Sequence, residues 1–131
     1  MIEPFRGHEL DAHYLGYFEC FNRQLFFEAH EVLEELWLAE GNGQNYCFYK
    51  GLIQLAGAFV HLQKDRLGPA AALFRLAEAN LKSYPAVYER LDLDAALKLI
   101  QQWQQRLEGV QFGTRPLAST HKPKLELQVG F

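Results

Sequence analysis

The chain has 131 residues, 49% of them hydrophobic and 14% aromatic, with a formal net charge of −3. That much apolar material in a chain of single-domain length excludes intrinsic disorder and a disulfide-dependent miniprotein. Thirteen Lys and Arg against sixteen Asp and Glu form no concentrated basic face, so nucleic acid is not an expected partner. No apolar run approaches the ~18 residues of a membrane span, and the opening MIEPFRGHELDAHY is too charged and broken for a signal peptide or an anchor. Cys20 and Cys47 lack CxxC or metal-finger spacing and read as free thiols of a reducing compartment. A compact, soluble, cytoplasmic domain is expected.

Five helices follow from apolar arcs at 100° per residue. The first covers residues 9–23, with Leu10, Tyr14, Tyr17, Phe18 and Phe21 on one side. The second covers 25–40 and buries Leu25, Phe26, Ala29, Val32, Leu33, Leu36 and Trp37; Gly41-Asn42-Gly43 then stops it. The third, 44–64, is apolar nearly all round, as a central buried helix would be. Pro69 is a favourable first-turn residue for the fourth helix, which runs to residue 83 and buries Leu73, Phe74, Ala77, Leu81 and Tyr84. Asp92 is placed to cap the fifth, where Ala96, Leu99, Ile100, Trp103 and Leu107 share a face up to Gly109.

Beyond Gly109 the pattern changes. Pro116, Pro123 and Gly130 punctuate the tail, and Leu125-Glu126-Leu127-Gln128-Val129 alternates with period two. Such a lone strand either lies as an extended arm on its own bundle, the favoured reading, or pairs with another molecule.

The densest polar signal lies on the second helix, Glu28-Ala29-His30-Glu31-Val32-Leu33-Glu34-Glu35. His30 and Glu34, at i and i+4, stand side by side and could grip one ion. The helix lacks the second His of a zincin and the repeated ExxH of a di-iron bundle. On the third helix Lys50, Gln54 and His61 form a narrow polar stripe flanked by Gly51, Gly57 and Ala58. A buried polar group without a partner costs ~1–3 kcal/mol, so the stripe needs company. If the second and third helices form a hairpin, the glutamates of one could meet the stripe of the other. The small residues would leave space for close helix contact or for a small ligand.

Three readings of this constellation stay open. It is a satisfied network that fixes helix register, a metal site, or a metal-free acid/base site. In the last, a glutamate beside Lys50 stays ionised, and a histidine among carboxylates is pushed toward its cation. Trp37 and Trp103 fall on apolar arcs and read as core. His8, His13 and His121 read as solvated. GxSxG, P-loop and GxGxxG motifs are missing from the sequence.

The run Phe26-Phe27-Glu28-Ala29-His30-Glu31-Val32-Leu33-Glu34-Glu35-Leu36-Trp37, followed by Tyr49-Lys50-Gly51-Leu52-Ile53-Gln54-Leu55-Ala56 and His61, resembles the small bacterial and archaeal family called domain of unknown function 309. The resemblance covers the first three helices and implies an all-helical bundle. Its motif falls on Glu28, His30, Glu31, Glu34 and Trp37, and on Gln54 and His61.

The resulting expectation is an all-α single domain, a bundle or array of about five antiparallel helices over 1–109, with an extended C-terminal tail over 110–131. Its expected function is metal-assisted or acid/base hydrolysis of a small substrate in a pocket between the second and third helices. There His30, Glu34 and His61 would bind one divalent ion, Glu31 would act as base and Lys50 would stabilise developing negative charge. Glu28, Gln54 and Trp37 would complete the pocket, and no organic cofactor is expected. The alternative is a non-enzymatic helical interaction module whose polar network only fixes register, with a second copy in a homodimer as its partner.

Overall fold

The computed structural model describes residues 11–108 and 123–127. Five helices and one minimal hairpin follow in chain order, and each boundary has a local cause. Helix α1 (Ala12–Asn22) starts where the Asp11 carboxylate accepts from the His13 N–H at 2.7 Å. It ends in a 6→1 turn in which the Leu25 N–H reaches the Cys20 carbonyl at 2.8 Å and Gln24 sits at φ 66°. Helix α2 (Phe26–Glu40) stops at Gly41, φ 68°, as the glycine run foretells.

Helix α3 (Tyr46–Gln63) has no side-chain cap from Asn45. The Tyr84 hydroxyl, far along the chain, does that work: it accepts from the Phe48 N–H at 3.0 Å and donates to the Gln44 carbonyl at 2.9 Å. At its other end Arg66 N–H bonds the His61 carbonyl at 2.8 Å, with Asp65 at φ 58°. Helix α4 (Leu67–Leu81) carries Pro69 in its first turn. Then come β1 (Val87–Tyr88) and β2 (Leu91–Asp92), an antiparallel pair whose turn puts Glu89 and Arg90 at φ 48° and 64°. Helix α5 (Leu93–Glu108) is capped by Asp92, which accepts from the Ala95 N–H at 3.0 Å.

The helices pack antiparallel, with α3 central between α2 and α4. Helix α1 lies on α2, and α5 lies on α4. The far face of α3 is aromatic: Phe59 meets Phe21, Phe26, Phe74 and Trp103, with ring centroids 5.0–5.6 Å apart. Burial of each such ring is worth roughly 1.5–3 kcal/mol. A Cβ on Gly51 would lie 2.7 Å from Leu81 Cγ, so the missing side chain lets α3 and α4 approach closely.

The all-α expectation holds, and the hairpin is the addition it lacked. No Asn-Gly or Asp-Gly announces that turn, and two L residues take the left-handed region in its place. Of the expected tail, the part within 109–122 and 128–131 lies outside the described residues. The part from 123 to 127 lies on its own bundle: Pro123 and Leu125 are buried, and Leu127 bridges antiparallel to Leu91.

Candidate functional site

One face of α3 carries Ile53, Gln54, Gly57, Val60 and His61, spaced three and four apart as a helix surface requires. Together with Phe27 and His30 of α2 and Leu73 of α4, this face encloses a cleft of about 330 Å³. That volume is in the range of small-molecule sites. The walls are mostly apolar. The Phe27 and His30 rings, one helical turn apart, stack at 6.0 Å with 27° between their planes, and Phe27 is 52% exposed at the mouth. The two glycines of the stripe divide the roles that the sequence leaves open. Gly51 serves close helix contact, whereas Gly57 lines the cleft opposite Leu73.

The polar groups of the cleft are of two kinds. Gln54 is satisfied, its Oε1 accepting from Asn80 Nδ2 of α4 at 2.7 Å, and this pair fixes the register of α3 against α4. The histidines are not satisfied. His30 Nδ1 and His61 Nδ1 are both buried and have no hydrogen-bond partner. Each such atom forgoes its hydration without a replacement, at a cost of about 1–3 kcal/mol. Desolvation lowers the His61 pKa from its ordinary 6.5, and the charges of Arg66 and Lys64 lower it further. The turn closing α3 returns the Arg66 backbone to the His61 carbonyl. This reverses the expectation of a histidine held toward its cation by carboxylates. The side chain lines a mostly apolar cleft, and burial first, then the charges of Arg66 and Lys64, disfavour its cation.

The other sequence candidates do not come to the cleft. Glu31 is exposed, Glu34 is half-buried, and neither lines it. Glu28 is exposed and raises the pKa of Cys20 on α1, behind the burial that raises it most. Lys50 is half-buried with its ammonium 5.8 Å from the centroid of the Tyr46 ring, and among the described residues no ion pair joins it to a glutamate. Trp37 packs on the core and on Tyr46, with ring centroids 5.2 Å apart; its Nε1 is buried and unpartnered outside the cleft. Among the described residues no three His, Cys, Asp or Glu side chains assemble a metal-holding group, so His30, Glu34 and His61 are not brought together as a three-donor set. Glu31 follows His30 directly and so is turned by about 100° around α2, whereas Glu34 shares the side of His30 but stands one turn further along the helix, outside the cleft lining.

Phe27, Ile53, Val60, Leu73 and Asn80 were not among the site residues expected from the sequence. Phe27 stands three residues before His30 and was within reach of the same wheel arithmetic. Leu73 and Asn80 needed the packing of α4, which no local pattern provides.

Residues 14–73 match the family model described as "Domain of unknown function (DUF309)". A curated relative, the "Uncharacterized protein YpuF" of Bacillus subtilis (strain 168), is 31% identical over 87 residues, 65% of this chain and 50% of the relative. The chain therefore spans about half the length of the curated relative it matches. No solved structure matches it. Every residue lining the cleft, from Phe27 to Leu73, falls inside the matched stretch. Over residues 14–73 the chain is thus similar to the DUF309 model, and the histidine cleft lies within that matched stretch.

Proposed function

We propose that this protein binds a small, flat, largely apolar molecule in the cleft between α2, α3 and α4, with His30 and His61 meeting its polar group. The observation that carries this reading is that the two histidines lining one cleft, His30 and His61, each hold a buried Nδ1 atom without a hydrogen-bond partner. Buried polar atoms are nearly always paired, and of the three exceptions among the described residues two belong to residues lining this cavity, the third being Trp37 Nε1. The stacked Phe27 and His30 rings offer a planar wall, which suits an aromatic ring. A neutral His61 can accept a hydrogen bond or take a proton from the bound molecule, which extends the reading to acid/base chemistry.

The hydrolytic version with a divalent ion needs a third donor and needs Glu31 and Lys50 within reach of the substrate. The positions of these side chains favour the metal-free version. The test is a thermal-shift and calorimetric titration with monocyclic and bicyclic aromatics carrying hydroxyl, amide or carboxyl groups, repeated with Zn²⁺ and Mn²⁺. The expected result is saturable stabilisation by one aromatic class, abolished in the His30→Leu/His61→Leu double variant. Stabilisation that survives in the double variant would place the ligand elsewhere. Stabilisation by the metal ions alone would restore the metal version.

A further inference from the structure

The described segment 123–127 is held as an extended peptide is held by a receptor. Asn22, the last residue of α1, binds both main-chain groups of Leu125: its Nδ2 donates to the carbonyl at 2.7 Å, and its Oδ1 accepts from the N–H at 2.7 Å. Two residues earlier, Gln24 Nε2 donates to the Pro123 carbonyl at 2.8 Å. On the other side Leu127 bridges to Leu91 of β2, so the segment adds a single antiparallel bridge to the edge of the hairpin. Pro123 and Leu125 are buried, Leu127 packs on the core, and Lys124 and Glu126 between them are exposed. The surface thus reads a Pro-x-Leu-x-Leu pattern by three apolar seats and by hydrogen bonds to the backbone.

We infer that this receptor surface, made by Asn22, Gln24, Leu91 and the buried Leu125 seat, also takes the 123–127 segment of a second copy, giving a segment-exchanged dimer. Among the described residues the contacts that hold the segment are made by residues 123–127, and the same contacts form whichever copy donates it. Exchange of an identical element is therefore a low-cost route to a dimer. Fourteen residues, 109–122, separate α5 from the segment, a chain length whose extended reach is at most about 50 Å. The balance between one copy and two is set by the effective concentration of the tethered segment, on the order of 1 mM.

Two full-length variants test this. Asn22→Leu keeps the donor segment and breaks the receptor; Leu125→Asp keeps the receptor and breaks the donor. Each alone should sediment as a monomer with an unchanged helical circular-dichroism spectrum. Mixed, they should form a one-to-one heterodimer at concentrations at least tenfold below those at which the wild-type chain dimerises, because neither receptor nor donor is engaged within its own chain. A mixture that stays monomeric up to ~1 mM overturns the inference. If Leu125→Asp does not fold, the wild-type chain is titrated with a synthetic peptide of residues 121–129. Amide shifts at Asn22 and Gln24 support the inference, and their absence up to ~1 mM overturns it. Equal shifts with an unrelated leucine-containing peptide would replace the second copy with a general peptide partner.

Discussion

Helix α3 separates two polar regions that differ in how they treat most of their buried groups, the unpartnered Trp37 Nε1 beside Tyr46 being the exception at the N-terminal end. At its N-terminal end, phenols and amides are paired. Tyr84 caps the helix, Tyr17 donates to the Leu52 carbonyl at 2.6 Å, Tyr14 donates to the Glu89 carbonyl at 2.8 Å, and Tyr88 bonds Asn45. Burial pushes the phenols of Tyr14 and Tyr17 well above their usual range, so they remain neutral donors. Toward its C-terminal end, the cleft leaves two imidazole nitrogens without partners. A complete network holds a fold together, whereas under the proposed function the unpartnered imidazoles mark where a ligand binds.

The largest effect should come from the aromatic packing common to both regions. Phe59→Ala should cost about 3–5 kcal/mol in denaturant unfolding, through a cavity among four rings. The two glycines give a sharper contrast. At Gly51 a methyl group would press into Leu81 at 2.7 Å, and Gly51→Ala should destabilise by ~1–3 kcal/mol. At Gly57 the nearest atom is the tip of Leu73 at 3.2 Å, which can turn aside, so Gly57→Ala should change stability little and narrow the cleft. A Gly57→Ala chain that keeps its stability but loses ligand affinity would confirm that division.

The next pair differs in sign. Tyr84→Phe leaves the Phe48 N–H without its acceptor and should cost about 1–2 kcal/mol. His61→Leu removes a buried atom that has no partner to lose, and should raise the melting temperature, by the equivalent of ~1 kcal/mol. Equal destabilisation by both substitutions would erase the distinction between the two regions.

The smallest effect is on pH dependence. Because the folded pKa of His61 lies below 6.5, its contribution to stability is complete above pH 6.5 and is lost as pH falls through the lowered folded value. His13 acts in the opposite sense: its pKa is raised by the hydrogen bond to Asp11 and by Glu35, so its contribution is lost as pH rises. Melting curves of wild type and His61→Leu between pH 5 and pH 7, on the order of two units around the histidine range, should converge toward pH 7 in slope and diverge below it.

The periodic parts of the fold were legible in the sequence because one helix face is enough to betray them. The apolar arcs located all five helices to within a few residues, and Asp92 was recognisable as a cap. The hairpin was not legible: Glu89 and Arg90 carry no turn chemistry, and the pairing is held in place by Leu91, which bridges on to Leu127. Of the site, His30, Gln54 and His61 were found because they interrupt apolar surfaces at helical spacing. Lys50 shared their stripe yet folds back along α3 onto Tyr46, a rotamer that no wheel records. Asn80, the partner that turns Gln54 from a ligand candidate into a register lock, lies on α4, twenty-six residues away. The downward shift of the His61 pKa was not legible either, since it comes first from burial and then from the charges of Arg66 and Lys64 in the turn after α3.

The central claim is that the Nδ1 atoms of His30 and His61 are kept unpaired for a ligand. Long-range ¹H–¹⁵N correlation spectra of the imidazole side chains read this directly. Both Nδ1 resonances should lack a hydrogen-bond signature to any protein group in the free chain, and both should shift when an aromatic ligand binds. An Nδ1 already bonded to a protein donor or acceptor in the free chain, and unmoved by ligand, would contradict it.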